Sequence, residues 1–267
     1  MKLLVRGDDY GFSRGCTLGM LDAKENGILT CTGLFTNMPE CEHAVSLMPN
    51  YPDLCFGIDF NIVSGPCVAD PKLIPSLVDA DGNFILSRIK YQDPRFQTEE
   101  GKAELWPKDE VRIELQAQYD KYIRLVGKKP EYVHTHSIGR TVPTYFETVA
   151  EIGHENGVVY SHEIQDKYGF YSIPVGLNNH FNVKKFDLED QLNVDMVKRV
   201  MDHADELLKH EYVIIGGHPG FLDQVLLSGI TTLSIERVKD HAMCISPIIK
   251  QWVKDNNIEL ISYRDLI

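Results

Sequence analysis

Short apolar runs that read as β-strands alternate with longer amphipathic runs from Lys2 to Ser262, and ionisable residues stand where several of the short runs stop. That alternation confines the chain to a parallel β/α architecture, because each return to a parallel strand needs a crossover, and a helix usually supplies it. The first run, Lys2 to Val5, leads into Asp8-Asp9 and the Tyr10-Gly11 turn. A helix is expected over residues 13–26 with Gly27 as its stop, then a strand near 32–36 and a helix over 43–48 closed by Pro49. A third strand, 54–58, ends at Asp59. Further on, Val111, Leu115, Tyr119, Tyr122 and Ile123 recur at helical spacing and predict a helix over 108–126, ended by Gly127. Strands at 132–135, 158–160, 212–215 and 259–262 alternate with helices at 143–156, 194–210 and 233–256. With about seven such units, a closed or nearly closed barrel in one α/β domain over residues 1–267 is expected. The stretch from Gly65 to Lys108 breaks the pattern. Its five prolines and weak periodicity predict a long excursion after the third strand, which would serve as a lid or substrate wall.

Charge and composition exclude some functions. Lys plus Arg is 27 against 39 for Asp plus Glu, a net −12, which argues against a duplex nucleic-acid binder. No apolar stretch approaches the roughly 18 residues needed to span a bilayer, and no signal-peptide pattern precedes the first strand. The expected setting is therefore the cytoplasm, with no membrane and no nucleic-acid partner. The six cysteines form no CxxC pair and read as free thiols.

Asp8/Asp9, Asp59, His134/His136 and His218 all fall at expected strand ends, which converge on one mouth in a barrel. Alternation along a strand sends neighbours to opposite faces, so Asp8 and Asp9 can take different tasks, while His134 and His136 share a face. Carboxylates and imidazoles together suit a divalent ion such as Mg, Zn, Mn or Co. Singly, each has a plainer reading. Paired Asp can cap a helix, Asp59 can form a turn, and His218 sits before a Pro-Gly turn. No Gly-rich phosphate loop follows the first strand.

Gly7-Asp8-Asp9-Tyr10-Gly11-Phe12-Ser13, Asn26-Gly27-Ile28-Leu29-Thr30, Gly217-His218-Pro219-Gly220 and Ser262-Tyr263-Arg264-Asp265 resemble, in this order, motifs of the YdjC-like carbohydrate deacetylases, which include the chitooligosaccharide deacetylases. The resemblance runs nearly the full length. It implies a distorted β/α barrel and a divalent metal ion (Mg or Zn, with Mn, Co or Ni as alternatives). The implied reaction removes acetyl groups from small N-acetylated sugars such as chitobiose. Carried over by motif, the resemblance implies Asp8 as the catalytic base, Asp9 and His136 as metal ligands, and His218 as the proton donor or a group that positions one. Two positions depart from the pattern. Asp59 stands where the family has His in G-x-H-x-N, and His134 stands where it has Asp in D-S-H, so the ligand inventory is kept while positions exchange. Asp59 and His134 therefore join the expected metal set. A different metal hydrolase, for another amide or a phosphoester, and a sugar-binding or regulatory homologue without catalysis are the alternative readings. Phe84, Tyr91, Phe96, Trp106, Tyr168, Phe170, Tyr171 and Phe221 are possible stacking platforms for a sugar. A homodimer is the base-rate expectation.

Overall fold

Six parallel strands form the sheet in this computed structural model, which describes residues 1–173 and 187–267. They are β1 (Lys2–Tyr10), β2 (Cys31–Leu34), β3 (Cys55–Phe60), β4 (Val133–Thr135), β5 (Tyr212–Gly217) and β6 (Glu259–Ile261). The order is β4-β3-β2-β1-β5. β5 pairs with β1 from Lys2 to Gly7, so β6 and β2 share the other edge of β1, β6 against Lys2–Leu4 and β2 from Arg6 onward.

The result is the expected α/β fold, a parallel sheet curled into a distorted half-barrel. Among the described residues the gap between β4 and β5 is crossed by chain rather than by a ladder. Tyr160 makes a single parallel bridge to Val133 of β4, and Tyr171 makes one to Val213 of β5. The helix Ser161–Tyr168 lies between these two bridges. The strand expected at 158–160 is thus one bridge. The residues there leave directly into a helix that closes the curl.

Local chemistry accounts for the helix ends. Ser13 caps Arg14–Glu25 by accepting from the Cys16 amide, and left-handed Gly127 and Gly157 end Lys108–Val126 and Pro143–Asn156. The helix expected over 233–256 is two, Ile235–Ile245 and Pro247–Asp255, because Pro247 lacks an amide hydrogen and opens a new helix. The one expected over 194–210 likewise divides at His203 into Met196–Asp202 and Ala204–Leu207.

The excursion after β3 is pinned rather than loose. Glu114, on the Lys108–Val126 helix, accepts from the Val68 and Ala69 amides, and Gln118 bonds both backbone groups of Asn61. Lys90 is buried against the Trp106 ring and donates to the Ser76 and Leu105 carbonyls. Phe84 and Trp106 are buried here, so they are core, and Tyr168 and Phe170 pack on Tyr212. Of the aromatics named above, Tyr91 and Phe221 stay exposed. All six cysteines are free. Among the described residues no helix is long and apolar enough to cross a membrane.

Two layers fill the inside of the curl. Leu4, Cys31, Cys55, Tyr132, Ile214, Ile261 and Tyr263 make an apolar floor. Two residues further along the strands, the same face carries Arg6, Gly33, Gly57, His134 and Gly216. Two residues beyond Arg6 and Gly57 come Asp8 and Asp59, with Asp59 level with its register partner His134. The change from apolar floor to charged mouth is therefore the period-2 pattern of the strands read upward.

Candidate active site

Asp59 and His134 are register partners on adjacent parallel strands. The two departures from the family pattern thus lie side by side, and exchanging them keeps one carboxylate and one imidazole at the same level of the sheet. Asp59 is fully buried, with room made by Gly33, where a Cβ would stand 2.1 Å from its Oδ1. Burial, then the Asp8 charge, pushes the Asp59 carboxyl well above the usual carboxylate range. Its Oδ2 accepts the Asp9 amide at 3.1 Å, and its Oδ1 has no hydrogen-bond partner among the described residues.

Asp8 is held by Arg6, two residues earlier on the same face. Arg6 Nε donates to Oδ1 at 2.6 Å and Nη2 to Oδ2 at 3.0 Å. The third nitrogen, Nη1, donates to Tyr263 Oη at 3.2 Å and lies 3.5 Å from His134 Nδ1. Burial opposes the Arg6 charge, but Asp8 and Tyr263 outweigh it and keep the guanidinium firmly protonated. His134 Nδ1 also meets Ser161 Oγ at 2.7 Å. Burial and the Arg6 charge hold the His134 imidazole neutral. One ligand atom from each of Asp8, Asp59 and His134 fits within 4.8 Å of the others.

Asp9 faces elsewhere. The pairing of β1 with β2 shifts between Gly7 and Tyr10, and Asp9 has a left-handed φ of 77°, a strained conformation for a residue with a side chain. Its Oδ2 accepts Arg237 Nη2 at 2.6 Å. Burial alone would raise its carboxyl, but His136 and Arg237 hold it well below the usual range. Its Oδ1 forms an ion-pair contact with His136 Nδ1 at 3.0 Å, outside hydrogen-bond alignment, and has no aligned hydrogen bond among the described residues. A buried carboxylate oxygen and an imidazole nitrogen this close, outside hydrogen-bond alignment, are also placed to converge on a shared cation. The His136 amide extends the sheet by donating to Phe60 O, and its ring packs edge-on against Phe35.

His218 follows β5. Its amide donates to Asp240 Oδ2 at 2.7 Å, its ring Nδ1 is 4.0 Å from the same oxygen, and about a third of its side chain is open to solvent. Burial lowers its imidazole pKa despite the Asp9 charge. A groove beside His136 is lined by Phe12, Ser64, Ser87, Arg88 and Thr231.

The structure thus brings Asp8, Asp59 and His134 into one group and Asp9 and His136 into an adjoining one, with His218 at the rim. Four further site residues were not singled out from the sequence. Arg6 carries a local signal, a cation inside an apolar strand two residues from Asp8. Tyr263 lies in a quoted motif that gives it no task. Ser161 and Arg237 carry no local signal.

A model of the YdjC-like protein family matches residues 2–255, and the chain belongs to that family. Its relatives include a Listeria innocua protein named carbohydrate deacetylase 2, 31% identical over 100% of this chain and 99% of its own. The Proteus mirabilis chitooligosaccharide deacetylase is 25% identical over 99% of this chain and 98% of its own. Among solved structures, an Enterococcus faecalis V583 protein described as a candidate cellobiose-phosphate cleavage protein superimposes with a TM-score of 0.74 over 99% of this chain and 98% of its own, at 20% identity. That likeness shows the fold.

Proposed function

We infer that this chain, acting as one domain, is a divalent-metal-dependent hydrolase that removes acetyl groups from N-acetylated sugars or short oligosaccharides such as chitobiose. The observation that carries this reading is the pair of buried carboxylate oxygens without an aligned hydrogen bond among the described residues, Asp9 Oδ1 and Asp59 Oδ1, the first in contact with His136 Nδ1 at 3.0 Å. Buried polar atoms without partners are rare and call for an explanation, and a cation supplies one. The names of the full-length relatives support the substrate class.

Asp9, Asp59 and His136 would hold the ion, although the three-donor group whose atoms lie within 4.8 Å of one another among the described residues is Asp8, Asp59 and His134. An ion on Asp8 would compete with the Arg6 guanidinium that already grips both its oxygens, whereas Asp9 Oδ1 and Asp59 Oδ1 receive no aligned hydrogen bond among the described residues. When bound, the ion would polarise the acetyl carbonyl and acidify a water. Each Asp8 oxygen keeps a lone pair beyond its Arg6 contact, so Asp8 can accept the water's proton. His218, reachable from solvent and backed by Asp240, donates a proton to the leaving amine. Phe35 fixes the plane of the His136 ring.

The test is acetate release from N,N′-diacetylchitobiose by metal-stripped protein reloaded with Zn, Mn, Co, Ni or Mg. Asp8→Asn should lower kcat by about 10²–10⁴ while leaving metal content intact. Asp9→Asn and His136→Ala should lose the ion itself. Metal uptake without acetate release from any N-acetyl sugar would instead select a different amide or phosphoester. Sugar binding with neither metal uptake nor turnover would select a non-catalytic homologue.

A further inference from the structure

A cation already sits against two of the three donors Asp8, Asp59 and His134, gripping Asp8 and standing beside His134. Arg6 rises from the apolar floor on the same strand face as Asp8 and grips that carboxylate with two nitrogens, at 2.6 and 3.0 Å. Its third nitrogen is anchored by Tyr263 Oη and comes to 3.5 Å from His134 Nδ1. A two-pronged grip of this kind is specific to a guanidinium, which stays charged when buried. Arg6 is also nearly enclosed, its side chain 11% exposed. An ion that used Asp8 and His134 together would have to displace it.

The geometry points to Arg6 as a tethered cation that fills the Asp8/Asp59/His134 position and excludes a divalent ion from it, leaving any bound metal to the Asp9/His136 side. Removing the guanidinium would then create a metal site that the native chain does not use. The wild-type half of this statement rests on the metal-dependent reading above, and the Arg6 half does not.

Co²⁺ is the probe, followed by equilibrium dialysis and by its visible absorption, so that no turnover is needed. In Arg6→Gln the expected result is a second equivalent of Co²⁺ or at least tenfold tighter binding. That gain should vanish in the Arg6→Gln/His134→Ala double variant and survive in Arg6→Gln/His136→Ala. In the wild-type background the dependence should reverse, with His136→Ala losing Co²⁺ and His134→Ala keeping it. No gain in Arg6→Gln, or a gain indifferent to His134, overturns the inference. Wild type that binds no Co²⁺ while Arg6→Gln binds it through His134 overturns the metal-dependent reading and supports this one. If Arg6→Gln does not fold, Arg6→Lys keeps a charge but loses the two-pronged grip. It should show a smaller gain of the same His134 dependence, and its absence counts against the inference.

Discussion

Asp8 and Asp9 are adjacent in the chain, and each is held by an arginine, yet the two pairs are built differently. Asp8 meets Arg6 from the same strand, with side chains 11% and 13% exposed on the arginine and the aspartate. Asp9 meets Arg237 from a helix 228 residues away, with 1% and 0% exposed. The first pair is a product of strand periodicity and stays within reach of water. The second is a long-range buried pair that fastens the Ile235–Ile245 helix to the end of β1. What differs is the consequence of breaking them, because a buried charge left without its partner is costly while a wetted one is partly rescued.

The largest effect should follow from that difference. Arg237→Gln is expected to destabilise the protein by about 3–5 kcal/mol, as Asp9 is left in a fully buried site. Arg6→Gln should cost about half as much, since the amide still donates to Asp8 and water reaches it. Urea melts of the two variants, read as the shift in midpoint at constant slope, test the ranking. Equal losses would mean that Asp8 is as isolated from solvent as Asp9, and the distinction drawn between the pairs would collapse.

A second comparison sets Asp9 against Asp240, both buried and both near Arg237. Asp9 is held low by its cationic neighbours, so its contribution to stability is present above the unfolded carboxylate pKa and is lost as pH falls through the folded one. Asp240 goes the other way. Burial first, then Glu236, pushes its carboxyl up to about 7 against the opposing pull of the His218 amide, Arg199 and Arg237. Its contribution is fully present below about 4, the unfolded value, and is lost as pH rises through about 7. Asp240→Asn should therefore be more stable than wild type at pH 8 by on the order of 2–4 kcal/mol, with the advantage shrinking toward pH 4. Thermal melts across pH 4 to 8 provide the check. A difference independent of pH would place the effect in packing instead of ionisation.

These contrasts also show which parts of the molecule could be read from the chain. The strands, their charged ends and the curled parallel sheet were legible because each rests on local period and punctuation. The Asp8/Asp59/His134 group and the Asp9/His136 contact follow from those same strand ends. The division of labour between the two groups does not. It depends on the shift in β1 pairing after Gly7 and on the left-handed Asp9, which re-aim one carboxylate. Arg237 was invisible because nothing in its own helix marks it as a partner for β1. The reading of one helix over 233–256 overran Pro247, although a proline inside a helical pattern is a local signal for a kink or break. The expected strand at 158–160 failed for another reason. Val158 and Tyr160 are buried beside β4, but the chain enters the Ser161–Tyr168 helix directly after the single bridge, before a ladder forms.

Ser161 also provides the smallest and most pointed test of the two sides of the mouth. Its hydroxyl meets His134 Nδ1 at 2.7 Å, inside the protein. Ser161→Ala removes that contact and leaves Arg6 as the neighbour of the same nitrogen, at 3.5 Å. A single buried hydrogen bond of this type is worth about 1 kcal/mol, so the midpoint of unfolding should move only slightly. If His134 supports the site without holding the ion, acetate release should fall by a few-fold, with kcat and KM changed modestly and metal content unchanged. A loss of metal together with a hundredfold or greater loss of turnover would move the ion to the Asp8 side and make Asp9 and His136 its supports. The stability reading separates the two cases from simple unfolding, because neither requires more than about 1 kcal/mol.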